Sequence, residues 1–228
     1  MAYTKLTRAQ VAKYIDHAVL RTELSAKEVE ARCLEGVKYG CFSVCVNPSM
    51  IHIAREVTRN SDVKVCAVVA FPLGATTPEC KAYEAQAALR AGADEIDMVA
   101  NIGAIKSGDW DLVARDVSSV VKAAGPALVK VILETCYLTD EEKVRACKVC
   151  AAAGAHFVKT STGRGTFGAT LHDVVVLKRA CEDMGVRVKA SAGIRYWEDA
   201  VALIEAGADR LGTFEVATVL SSAPPNTP

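Results

Sequence analysis

Short apolar runs alternate with longer stretches of helical period along the whole chain. Eight of the runs read as strands, at about 15–19, 42–46, 64–70, 95–99, 127–133, 156–160, 186–190 and 209–212. From the second onward they are almost continuously apolar, as expected when both faces of a strand are covered. Helix starts lie between them. Ser25-x-x-Glu28 and Thr139-x-x-Glu142 are capping boxes, and Pro78 after Thr77 suits a first helical turn.

Helix ends repeat as well. Arg90-Ala-Gly-Ala-Asp94, Ala152-Ala-Gly-Ala-His156 and Glu205-Ala-Gly-Ala-Asp209 each precede a strand, with weaker copies at Lys38-Tyr-Gly-Cys41 and Ala123-Ala-Gly-Pro126. A helix closing on a glycine cap and leading into a short apolar strand is one βα unit, here repeated. Eight such units in an α/β chain of 228 residues predict a single (β/α)8 barrel over about 1–220, with 221–228 an unstructured tail. A doubly wound open sheet is the alternative, but no GxGxxG follows the first strand. A split into two domains finds no linker.

Composition narrows the class. Apolar residues make up 51% and charged residues 24%, enough for a large core in a soluble protein, and nothing in the formal net charge of zero points to a nucleic-acid or membrane-surface partner. No apolar run is long enough to span a membrane, and Met1–Arg8 lacks a signal peptide's apolar core. The nine cysteines therefore read as reduced thiols of a cytoplasmic protein. Cys147-Lys-Val-Cys150 lies in a helical run without a second ligand pair, and the four histidines show no metal spacing, so neither a metal nor a cofactor is expected.

The barrel gives strand ends a meaning, because sites of this fold form at the C-terminal ends of the strands. Lys159 closes the sixth strand and opens the turn Thr160-Ser-Thr-Gly163; Lys189 closes the seventh; Asp97 lies on the fourth; Lys130 and Glu134 belong to the fifth. A lone strand-end lysine often does no more than reach solvent. Two on adjacent strands repel, which favours a neutral, nucleophilic amine on one of them. Lys159 is assigned as an imine-forming nucleophile, because the hydroxyls and backbone amides of its turn suit a carbonyl substrate, Lys189 as the perturbing cation and Asp97 as the carboxylate that moves protons. Lys130 and Glu134 read as a supporting inward pair. Thr162, Gly163 and Arg164 after strand six, Ala192, Gly193 and Arg195 after strand seven, and Gly212 and Thr213 after strand eight are the candidate substrate contacts, the later loops being the usual phosphate cradle of the fold. Glu215, a carboxylate on that rim, opposes a phosphate.

Ile15-Asp-His17, Asp97-Met-Val-Ala-Asn-Ile-Gly-Ala104, Val129-Lys-Val-Ile-Leu-Glu-Thr135, Val158-Lys-Thr-Ser-Thr-Gly163 and Val188-Lys-Ala-Ser-Ala-Gly-Ile-Arg195 together resemble the deoxyribose-phosphate aldolase family. The resemblance runs from about residue 10 to 212. It implies a metal-independent barrel enzyme that reversibly cleaves 2-deoxy-D-ribose 5-phosphate to acetaldehyde and D-glyceraldehyde 3-phosphate. Lys159 matches the family's Schiff-base lysine, Lys189 its second lysine and Asp97 its relay carboxylate. Small aldehydes and sugar phosphates are then the partners, and a homodimer is the expected assembly. Phe214 and Glu215 stand where the family usually carries small hydroxyl or glycine residues, Ala18 and Ala192 replace a common threonine and glycine, Phe167 bulks a loop often rich in glycine, and the C-terminal tyrosine of some members has no counterpart. These departures predict a weakened preference for phosphorylated acceptors. A non-catalytic sugar-phosphate-binding barrel and another Schiff-base enzyme of the same fold are the competing readings.

Overall fold

A computed structural model describes residues 6–225 and Thr227. Eight parallel strands close into one barrel in sequence order: β1 (Ile15–Val19), β2 (Ser43–Val46), β3 (Lys64–Val69), β4 (Glu95–Val99), β5 (Leu128–Ile132), β6 (Phe157–Lys159), β7 (Arg187–Ser191) and β8 (Arg210–Thr213). The helices are α1 (Arg8–Ala12), α2 (Ala26–Lys38), α3 (Ile51–Thr58), α4 (Pro78–Arg90), α5 (Ile102–Lys106), α6 (Trp110–Ala124), α7 (Asp140–Ala152), α8 (Leu171–Ala180), α9 (Trp197–Glu205) and α10 (Val216–Ser221). Every expected strand is present, shifted at its ends by a residue or two. The boxes at Ser25/Glu28 and Thr139/Glu142 form, Pro78 opens α4, and Gly40, Gly92, Gly125, Gly154 and Gly207 all adopt positive φ after their helices.

Closure comes from β1 pairing with β8, where Asp16 lies beside Gly212. Elsewhere the register sets Asp97 beside Lys130, Ile132 beside Lys159, Lys159 beside Lys189, and Lys189 beside Arg210.

The two faces of the strands differ more than the apolar runs suggest. Outward residues such as Val44, Val65, Ile96, Met98, Val129, Val131, Val158 and Val188 join the large core under the helices. The interior holds a small apolar cluster of Leu20, Cys45, Cys66 and Val68, and beside it buried Asp16, Glu95, Asp97, Lys130, Lys189 and Arg210. Barrels are more often filled by layers of branched aliphatics. Here charge takes their place.

Cys147 and Cys150 are both buried on α7, consistent with small core residues. Of the stretch expected to form an unstructured tail, 226 and 228 lie outside the described residues. Ser221 ends α10 and Ala223 is buried against the core. The Arg8 side chain donates to the carbonyl oxygen of Leu220 at 3.2 Å and to that of Ala223 at 3.5 Å.

Outside the barrel, Lys81 of α4 meets Asp116 of α6 at 2.6 Å and donates to the Val99 carbonyl at 2.8 Å, pinning the end of β4. Burial dominates both partners: it pushes the lysine's proton affinity down and the carboxyl's up despite their contact. Breaking such a pair from one side strands a charge. Lys81→Met is expected to lower stability by about 3–5 kcal/mol in urea unfolding. Adding Asp116→Asn should recover part of that loss, because the amide still accepts from the Asn101 backbone without the stranded charge.

Candidate active site

Inward residues of six strands meet inside the barrel, from Arg210 at the start of β8 to Lys159 at the end of β6. Asp97 is the hub. Its Oδ2 accepts from Lys159 Nζ at 2.7 Å and from Lys189 Nζ at 2.8 Å, while its Oδ1 accepts from Lys130 Nζ at 2.8 Å and from the Cys66 thiol at 3.2 Å. Lys189 also reaches Asp16 Oδ2 at 2.5 Å, and Lys130 reaches Glu95 at 2.7 Å and Asp16 at 3.8 Å. Arg210 closes the network from below, 2.6 Å from Asp16 Oδ1, which also accepts from the Ser43 hydroxyl at 2.7 Å.

Burial and pairing compete here, and pairing wins. Burial alone would raise the Asp97 carboxyl, yet Lys130, Lys159 and Lys189 together hold it well below the usual carboxylate range. Asp16 is lowered in the same way: burial opposes it, and Lys189, Lys130 and Arg210 outweigh that. Burial would likewise strip protons from Lys130 and Lys189, but their carboxylates keep both above the ordinary lysine value. Lys130 is thus a cation tied to three carboxylates, Lys189 one tied to two, and Lys159 meets only Asp97.

Above Lys159 opens a cavity of about 280 Å³. Lys159 and Lys189 lie on its wall, and so do all eight residues expected to contact substrate: Thr162, Gly163, Arg164, Ala192, Gly193, Arg195, Gly212 and Thr213. Asp97 lies beneath, reaching the cavity only through the two lysines. The structure therefore gathers every candidate from the sequence at one place.

Their local roles differ from the sequence reading in several details. The hydroxyls of Thr160 and Ser161 do not line the cavity. Thr160 Oγ1 accepts from the Ser191 amide at 3.0 Å, tying the turn after β6 to β7. Glu134 does not pair with Lys130. Its carboxylate holds Thr162 through the backbone amide, at 3.1 Å, and the hydroxyl, so it fixes the turn that follows Lys159. Ala192 sits at φ 69°, in the left-handed region that glycine tolerates best, which explains a glycine preference there. Gly212 has a packing reason: a Cβ would fall 2.7 Å from the Ser191 Cβ and 3.2 Å from the Lys189 Cε. A side chain there would collide with Ser191 and crowd the Lys189 stem.

Sequence reasoning passed over Asp16, Glu95 and Arg210 as members of the site. The signal existed. Period two puts Glu95 on the same face as Asp97, and register puts Arg210 beside Lys189. It also missed Arg21, which lines the cavity from the loop after β1.

Cys45, Cys66 and Asp97 offer ligand atoms within 4.8 Å of one another. They fit a metal poorly, because both Asp97 oxygens already face ammonium groups and a further cation would be repelled.

Residues 10–215 match the DeoC/LacD aldolase family. Among curated proteins, the chain is 56% identical over 201 residues to a deoxyribose-phosphate aldolase of Streptococcus gordonii, covering 88% of this chain and 90% of that one. It is 50% identical over 218 residues to the Thermococcus gammatolerans enzyme of the same name, covering 93% and 96%. Among solved structures, the deoxyribose phosphate aldolase from Aeropyrum pernix, described as tetrameric, superposes with a TM-score of 0.89 at 36% identity, covering 95% of this chain and 92% of that one.

The lysines are unequally paired, Lys130 with three carboxylates and Lys159 with one. Lys130→Met takes an ammonium away from three buried carboxylates at once, Asp16, Glu95 and Asp97, and is expected to lower stability by about 3–5 kcal/mol in urea unfolding. Lys159→Met, at the cavity wall with one shared carboxylate, should lower it by clearly less. Equal losses in the two variants would show that the network does not distinguish them.

Proposed function

The chain belongs to the DeoC/LacD family of aldolases, and from that premise we propose that it reversibly cleaves 2-deoxy-D-ribose 5-phosphate to acetaldehyde and D-glyceraldehyde 3-phosphate through an imine on Lys159. The observation that carries this reading is the position of Lys159: on the cavity wall, in a network of three other cations and three carboxylates, with a single carboxylate contact of its own. Asp16, Glu95 and Asp97 bring three negative charges, while Lys130, Lys159, Lys189 and Arg210 bring four positive ones when all are ionised. One proton can leave without unbalancing the interior. Lys159 is the amine with the fewest carboxylates opposing that loss.

The neutral amine adds to C1 of the open-chain aldehyde, and loss of water gives the iminium. As the C3 hydroxyl gives its proton to Lys189, which has just protonated the departing water, the C2–C3 bond breaks. Its electron pair moves into the enamine formed by Lys159 Nζ, C1 and C2, and D-glyceraldehyde 3-phosphate leaves. Protonation at C2 and hydrolysis of the imine release acetaldehyde and restore the amine. Asp97 is held too far into its carboxylate form to store a proton. Its role in this scheme is relay: one oxygen touches both Lys159 and Lys189, so a proton given up by one amine has a path to the other. Lys189, kept cationic by Asp16 and Asp97, is the proton donor toward the cavity.

The same reading treats residues 1–220 as one catalytic domain and places the protein in the cytoplasm. That location is supported by nine free thiols and by the lack, among the described residues, of a helix long and apolar enough to cross a membrane. A homodimer, the commonest soluble assembly, completes it. The carboxylate of Glu215 on the cavity wall favours a second reading, in which the same chemistry runs on non-phosphorylated acceptors.

Borohydride reduction in the presence of acetaldehyde, followed by peptide mass spectrometry, tests the chemistry. An ethyl adduct on Lys159 is expected. No adduct, or one confined to another lysine, would overturn the assignment, and the first outcome would favour a binding barrel without catalysis. Because acetaldehyde is the donor, the adduct also separates this reaction from those of Schiff-base enzymes that cannot use it.

A further inference from the structure

We propose that Arg21, seated on the ring of Phe214, is the residue that selects the phosphorylated substrate in this chain, and that Phe214 is its positioning residue. The inference rests on the aldolase reading above and names how that site takes hold of its anion.

The guanidinium carbons of Arg21 and Arg32 lie 4.2 and 4.3 Å from the centroid of the Phe214 ring. Both cations therefore lie in contact range of the one ring. Attraction to the ring quadrupole orients each cation. One of the two cations is anchored: Arg32 meets Glu35 at 2.9 Å, and Glu35 in turn meets His17 of β1 at 3.3 Å. His17 is fully buried, with its ring 6.1 Å from that of Phe214. Phe214 is therefore a fixed platform.

Arg21 is the other member of the pair. Among the described residues no ion pair involves it, and it lines the cavity that holds Lys159. Its planar fork of donors matches a phosphate, and stacking pre-orients that fork before substrate arrives. Arg164 lines the same rim but spends part of its fork on the Leu20 carbonyl, at 3.2 Å. Arg195 lies on the wall as well, so three guanidinium groups face the single carboxylate of Glu215. A phosphate near pH 7 carries between one and two negative charges and is attracted on balance.

Phe214 thus acquires a different meaning from the one its sequence position suggested. A small hydroxyl there would offer one hydrogen bond to the anion. The aromatic ring replaces it with a held cation, and Glu215 prevents the rim from being cationic throughout.

The test compares kcat/KM for deoxyribose 5-phosphate with kcat/KM for deoxyribose in four proteins: the natural chain, Arg21→Met, Arg21→Lys and Phe214→Leu. Arg21→Met should lower the ratio of the two by about tenfold or more, mostly through KM of the phosphorylated substrate. Phe214→Leu, which keeps apolar bulk but removes the ring, should lower it in the same direction. Arg21→Lys should restore only part of it, because an ammonium does not offer the planar fork. A ratio unchanged in Arg21→Met would overturn the proposal, and one lowered there but unchanged in Phe214→Leu would overturn the positioning role. Two controls keep the layers apart. Acetaldehyde trapping with borohydride carries no phosphate, so an adduct in each variant shows an intact reaction centre. Calorimetric binding of inorganic phosphate needs no chemistry: weaker binding by Arg21→Met supports the anion contact even if the aldolase reading fails, and equal binding by both proteins counts against it.

Discussion

The carboxylate of Asp97 holds three ammonium groups at 2.7–2.8 Å, and the rest of the interior follows from that contact. Three lysines driven together without it would repel one another in a medium that screens poorly. A lone buried carboxylate would be driven toward its protonated form. Each is tolerable only in the other's presence. The ring of partners then widens: Asp16 accepts Lys189 and Arg210, and Glu95 accepts Lys130. These residues come from β1, β4, β5, β6, β7 and β8, so the ionic network forms only when the barrel closes. Closure and site assembly are one event.

The network is also graded in its pairing. Lys130 meets three carboxylates, and Arg210 and Lys189 meet two each. Lys159, on the cavity wall beside Lys189, has a single, shared partner. The same chemical group, a lysine ammonium, is therefore a strut on one strand and, in the proposed reaction, the imine-forming amine on the next. Burial does not separate them, for all three are almost fully enclosed. What separates them is the count of opposing charges, which geometry alone fixes.

Much of this was legible in the sequence because the fold repeats. Glycine-closed helices and apolar runs locate eight strands, and the barrel's habit of placing chemistry at strand ends picks out Asp97, Lys159 and Lys189. The losses have a common cause. Asp16, Glu95 and Arg210 sit lower on their strands, where the fold more often puts aliphatic filling, so strand-end logic passes over them. Glu134 looked like a partner for Lys130 because both belong to the fifth strand, yet its backbone turns into the left-handed region at φ 52° and carries the carboxylate to Thr162 instead. Alternation predicts faces within a strand; it does not survive the bend at its end.

The rim shows the same limit on a larger scale. Read within its own loop, Phe214-Glu215 replaces small polar residues with bulk and negative charge, and the anion site looks spoiled. A barrel mouth is not built by one loop. Arg21 follows β1, Arg164 follows β6, Arg195 follows β7, and Phe214 follows β8, so the charge an anion meets is a sum over segments far apart in sequence. The β1–β8 pairing that closes the barrel is also what brings Arg21 and Phe214 together. A substitution at position 214 therefore acts on position 21, and neither loop by itself shows the sign of the effect. On the proposed reading, the hold of this chain on a phosphate is a property of that closure.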